Sequence, residues 1–155
     1  MKRILFILIL ACSLAGVVLA EELAANFSLP ALDGKKVTLN DFLGKKPVIV
    51  TFFASWSDPC KKALKGLQEI QISHEATVKI IAVSYDKKAK ELKEFLAAAD
   101  LPFAVVSDKK LSTADDYKIL VLPTTYCINR DGKIDKVLVD YDANVKNSII
   151  EWLNR

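Results

Sequence analysis

The sequence predicts a single-domain α/β fold, with a mixed central sheet covered by helices on both faces. Short apolar runs rich in β-branched residues, VIVTFF at Val48–Phe53 and KIIAVSY at Lys79–Tyr85, read as buried strands. Amphipathic helical stretches follow each of them. Asp-Gly pairs at 33–34 and 131–132 mark two hairpins, one near each end of the chain.

In chain order, Phe27-Ser28-Leu29 and Val37-Thr38-Leu39 flank the first Asp-Gly as a short hairpin. Asn40 to Gly44 reads as a single helical turn ended by glycine. After the first buried strand, Ser57-Asp58-Pro59 is a helix start: Ser or Asp suits the N-cap and Pro suits the first helical position. That helix is expected from Pro59 to about Ile72, with Ala63, Leu64, Leu67, Ile70 and Ile72 inward. Lys87 to Ala99 is expected to be helical, with Leu92, Phe95 and Leu96 inward. Phe103 to Val106 reads as a short strand. Leu111 to Lys118 reads as a short helix, with Ser112 or Thr113 as its cap. Thr124 to Asn129 and Lys136 to Tyr141 form the closing hairpin, and Val145 to Asn154 a final amphipathic helix.

The chain has 155 residues, enough for one domain and short for two. Its hydrophobic fraction is 52%, and much of the excess lies in the first twenty residues. Lys2 and Arg3 precede an almost unbroken apolar run, Ile4 to Ala20, with Glu21 and Glu22 at once behind it. This reads as a secretory signal cleaved after Ala20, leaving one domain over 21–155. Two other readings keep the segment: an uncleaved anchor, or lipidation at Cys12. All three place the folded part outside the cytoplasm, periplasmic or held to the outer face of the inner membrane. Membrane contact is expected only if residues 1–20 are retained. Losing Lys2 and Arg3 lowers the formal charge from +3 to +1. The lysine pairs fall in turns and on helix faces, so no nucleic-acid partner is expected.

Three stretches then resemble one family in order and spacing. They are FSLPALDGKKVTLNDFLGKKPVIVTFFASW over residues 27–56, Ser57-Asp58-Pro59-Cys60, and Leu122-Pro123-Thr124-Thr125 followed by INRDGKI. Together they are similar to the extracytoplasmic redoxins of the TlpA/ResA type, near the AhpC/TSA peroxidases. The resemblance runs from Asn26 to Arg155. It implies a thioredoxin fold with an N-terminal β-hairpin and a redoxin-type insertion, thiol–disulfide exchange, and a cis-proline loop at Pro123.

The resemblance also places a Cys-x-x-Cys where this chain has Ser-x-x-Cys. The family's attacking cysteine falls on Ser57, which forms no disulfide. Ser57 would need an adjacent base to act as a nucleophile. The single histidine, His74, lies fourteen residues past Cys60, about 21 Å along a helix. A serine-hydrolase reading therefore fails, as does a peroxiredoxin one, and Ser57 is expected to be an N-cap. Cys60 matches the family's second cysteine. It is either a lone thiol working at a helix N-terminus, which favours an anionic sulfur, or an inert buried one. Cys127, four residues past Pro123 and about 13 Å along a strand, is too far for a disulfide and reads as a core residue. Thr51 stands where the family often has Asp or Asn, and Ala63 and Lys65 where it often has Glu and Pro. The features that tune redox chemistry are thus absent together.

The implied function is single-thiol exchange through Cys60. The opposing class is a non-catalytic binding or assembly module using the cis-proline groove. In either case extracytoplasmic peptides or proteins, some carrying thiols, would dock on Trp56, Ser57, Asp58, Pro59, Leu122, Pro123 and Thr124. No cofactor is implied. One histidine and two separated cysteines do not make a metal site.

Overall fold

The computed structural model describes residues 22–155. The signal-like segment 1–20, with Cys12 inside it, lies outside the described residues.

Strands β1 (Ser28–Pro30) and β2 (Lys36–Thr38) form the N-terminal hairpin. Its turn is closed by Lys35 N–H donating to Asp33 Oδ1 at 3.0 Å, and Gly34 takes the φ of +84° that the turn requires. A 3-10 turn over Leu39–Asp41 follows. The remaining strands are β3 (Val48–Phe53), β4 (Lys79–Ser84), β5 (Ala104–Ser107), β6 (Thr124–Ile128) and β7 (Ile134–Val139). They form a sheet in the order β5-β4-β3-β6-β7. β3, β4 and β5 run parallel, and β6 and β7 pair antiparallel to their neighbours. The mixed sheet and its neighbours in sequence match the expected thioredoxin fold.

Helices α1 (Asp58–His74), α2 (Ala89–Ala99), α3 (Ser112–Asp116) and α4 (Ala143–Leu153) connect and close it. Every residue of β3 is buried, and its side chains alternate between two cores. Ile49 and Phe53 join Leu64, Leu67 and Ile70 of α1 and Ile149 and Trp152 of α4. Val48, Val50 and Phe52 join Leu39, Ala114 and Tyr117 on the other face. β3 is therefore the fixed spine from which α1 starts.

Two expectations need correction. Ile72 is exposed, and Gln71 is buried instead, because the inward face of α1 passes through 63, 64, 67, 70 and 71. Neither Ser112 nor Thr113 caps α3. Leu111 holds the N-cap position without a side-chain bond, and Asp108 accepts the Ala114 N–H at 2.9 Å from outside the helix.

Candidate functional site

The site grows from the end of β3. The chain turns at Ala54–Ser57, closed by Ser57 N–H donating to Ala54 C=O at 3.2 Å. Ser57 then caps α1 as expected. Its backbone is extended (φ −93°, ψ 119°), and its Oγ accepts the Cys60 N–H at 3.5 Å. Its carbonyl accepts the Lys61 N–H at 3.0 Å, the first helical bond. Pro59 sits in the first turn, where it lacks only an N–H that would have no partner there. Asp58 pairs with Lys61 at 2.9 Å, and that hydrogen bond holds its exposed carboxyl below the usual range.

The pairing of Phe52 with Thr124 brings β6 to the same end of the sheet. The Leu122–Pro123 bond is cis, as the resemblance implies. Thr124 Oγ1 donates to Val121 C=O at 2.7 Å, and Asp140 N–H donates to Pro123 C=O at 2.9 Å. Around this end the surface is apolar: Trp56 is 68% exposed, Leu120 93% and Val121 52%. The structure thus brings position 57, Cys60 and Pro123 to one sheet end, with Trp56 on the outside.

The two described cysteines differ from this rim. Both are free and fully buried, in the same core. Cys127 lies opposite Ile49 on β6, and burial pushes its thiol up to about 12. Cys60 lies in the first turn of α1 but faces inward.

Thr51 has a structural partner. Its Oγ1 and that of Thr125, directly opposite on β6, are 3.0 Å apart, and both residues are fully buried. Thr51→Val should cost about 1–3 kcal/mol by leaving the Thr125 hydroxyl without that partner. Adding Thr125→Val should recover most of the loss, as urea melts of the two variants would show. Strictly additive losses would mean that the pair is not coupled.

A buried polar cluster escaped the sequence reading. Asp86, just past β4 and 3% exposed, accepts Ser55 N–H at 3.0 Å, Ser55 Oγ–H at 2.8 Å and Ser84 Oγ–H at 2.8 Å. A polar Ser-Tyr-Asp at the end of an apolar strand was the available signal. His74 lies at the far end of α1, and its Nδ1 contacts Ser73 Oγ at 2.8 Å. Among the described residues, no three His, Cys, Asp or Glu side chains cluster to hold a metal. Nor is any helix there long and apolar enough to cross a membrane.

Residues 20–137 match the AhpC/TSA family. The thioredoxin-like protein YneN of Bacillus subtilis is 34% identical over 75% of this chain and 69% of its own length. The thiol-disulfide oxidoreductase ResA of Bacillus thuringiensis is 37% identical over 72% of this chain, but the match spans only 64% of ResA. Among solved structures, a chain of Chlorobium tepidum assigned as a thiol:disulfide interchange protein DsbE superposes with a TM-score of 0.81. It is 29% identical, with 86% of this chain and 94% of that one covered.

Proposed function

The chain belongs to the AhpC/TSA family, among relatives of its thiol–disulfide oxidoreductases, and from that premise we propose that it carries out single-thiol exchange through Cys60 outside the cytoplasm. The observation that carries the reading is the placement of Cys60. It occupies the first turn of α1, three residues after Ser57, at the sheet end that also holds Pro123 and the exposed Trp56. Export rests on the basic start and apolar run of residues 1–20.

In the proposed reaction the Cys60 thiolate attacks one sulfur of a partner disulfide. A mixed disulfide forms, and the partner's other sulfur leaves as thiolate. A second thiol, from the partner or a small molecule, then attacks the mixed disulfide and returns Cys60 to thiolate. Bonds and electrons balance without a second cysteine in this chain. Ser57 takes no part as a nucleophile and holds the first turn of α1. Trp56, Leu120, Val121 and Leu122 offer an apolar seat for an extended polypeptide, with Asp58 and Pro59 at its border and Pro123 and Thr124 buried beneath it. Because Cys60 is fully buried, the first turn of α1 must open before attack.

The test is reaction of the native full chain with 5,5′-dithiobis(2-nitrobenzoate), with the modified sulfur located by mass spectrometry. One equivalent of thionitrobenzoate released at Cys60, ahead of Cys127, is the expected result. Release at Cys60 only after denaturation sinks single-thiol exchange. The apolar rim would then remain as a binding surface alone.

A further inference from the structure

Among the described residues the carboxylate of Asp86 has hydroxyl and amide partners, and two of the three donors belong to one residue, Ser55. Ser55 sits inside the turn that delivers Ser57 to the start of α1. Ser84 fixes the carboxylate in return: its Oγ donates to Asp86 Oδ2 and accepts the Asp86 N–H at 3.0 Å. The backbone beside it is pinned to the spine, since Tyr85 N–H donates to Phe53 C=O at 2.8 Å. A buried carboxylate costs free energy to keep out of water unless its oxygens are satisfied, and here both oxygens are satisfied by the turn and by β4.

We propose that Asp86, acting through Ser55, is the positioning residue that latches the Ala54–Ser57 turn and so keeps the first turn of α1 closed over the Cys60 thiol. The chain of contacts is continuous. Asp86 holds Ser55, the turn holds Ser57, and Ser57 holds Cys60 and Lys61 by its Oγ and carbonyl. Releasing Ser55 loosens the N-cap without touching the core beneath α1, where Leu64, Leu67 and Ile70 remain packed. The latch therefore sets how often the thiol is reached. This deepens the single-thiol reading, and it rests on that reading for its biological meaning.

Cys127 supplies an internal control. It lies on the interior strand β6, between β3 and β7, fully buried, and is reached only when the sheet itself opens. The experiment measures iodoacetamide labelling of Cys60 and Cys127, site by site, in the native full chain. Wild type, Ser55→Ala, Asp86→Asn and the double variant are compared, with a urea melt of each. Cys60 labelling is expected to rise about tenfold or more in each single variant, the effect of losing a hydrogen bond to a carboxylate. Cys127 labelling should rise no more than the urea melts dictate. Ser55→Ala removes only the hydroxyl bond and leaves the Ser55 N–H on Asp86, so the double variant should label Cys60 no faster than the faster single, because the hydroxyl bond is the contact the two substitutions share. Equal acceleration of both cysteines overturns the latch, and so does an unchanged Cys60 rate in Ser55→Ala. Labelling needs only an open turn and no partner disulfide. A failed latch therefore shows in the rate ratio, and failed exchange chemistry in the missing thionitrobenzoate.

Discussion

Ser57→Cys is expected to give the chain a dithiol at the start of α1 and make it a disulfide reductase. With dithiothreitol as electron donor, the variant should accelerate reduction of the insulin interchain disulfides, where the wild type gives only the background rate. Ser57 is the N-cap, and Cys60 lies three residues on with its N–H bonded to Ser57 Oγ at 3.5 Å, so position 57 already faces the turn that carries Cys60. A disulfide between them needs Cα atoms about 4.4–6.8 Å apart and Cβ atoms about 3.5–4.5 Å apart. A thiol at position 57 would attack the substrate disulfide. Cys60 would then attack the resulting mixed disulfide, release the reduced substrate, and leave an internal 57–60 disulfide for dithiothreitol to reduce. The substitution also removes the Oγ that accepts the Cys60 N–H. The reduced form should therefore lose about 1 kcal/mol of cap stabilisation, small beside the gain of a catalytic cycle. Reaction with oxidised glutathione gives a direct check, since an internal disulfide lowers the mass by two hydrogens and blocks alkylation of Cys60. A variant that stays open and labels at both sulfurs would show that this helix start is not built for a dithiol.

What the sequence disclosed, and what it hid, follows from whether the signal was local. Val48–Phe53 was legible to the residue because a run buried on both faces needs only its own composition to be recognised. Ser57 was legible because capping is decided within four residues, and the hairpin at Asn129–Gly132 because its turn chemistry is contained in its own residues. Ile72 was misplaced by extending an apolar stripe one residue out of phase, and only the packed helix shows Gln71 taking the inward position. The cap of α3 failed for a different reason. Asp108 lies outside the helix, at the end of β5, so a search for a serine or threonine at the helix start could not find it. Asp86 was missed because its value depends on Ser55, 31 residues upstream and on another strand's exit. Two sites can be joined that way by a fold, but not by spacing. The burial of Cys60 is a matter of packing and is not carried by spacing.

Gly66→Ala is the second large effect, and it runs against helix propensity. Alanine in a helix interior is favoured over glycine by about 1 kcal/mol, so the sequence alone suggests a gain. The packed structure predicts a loss. Gly66 lies in the buried face of α1, and a Cβ built there would overlap Oη, Cε1 and Cζ of Tyr141. Alanine fits only if the ring turns aside about its own torsions, because the backbone that carries it is held. Tyr141 N–H is bonded to Asp140 Oδ1 at 2.8 Å, and Asp140, at φ +65°, is held by its N–H to the Pro123 carbonyl. Overpacking of this kind costs about 1–3 kcal/mol, so a net destabilisation is expected in urea melts at neutral pH. Tyr141→Phe should not rescue it, because two of the three overlapping atoms are ring carbons. Tyr141→Leu should rescue it in part. Tyr141→Phe alone is expected to be neutral or stabilising, since the Tyr141 hydroxyl is buried without a hydrogen-bond partner among the described residues. Its benefit should grow at high pH. Burial pushes the Tyr141 phenol up to about 12, with Glu69 adding to the effect. Between the ordinary phenol range near 10 and about 12, the unfolded chain releases a proton that the folded chain keeps, so the folded state loses stability as pH rises through that window. A phenylalanine has no proton to lose, and the variant should hold its stability across the same window. If Gly66→Ala instead stabilises the protein at neutral pH, propensity outweighs packing and the ring does not seat α1 against the segment that carries Pro123. If it destabilises as expected, the same contact fixes the helix bearing Cys60 and the loop bearing Pro123 relative to one another. Gly66 would then serve the seating of Tyr141 on α1 at the expense of helix propensity.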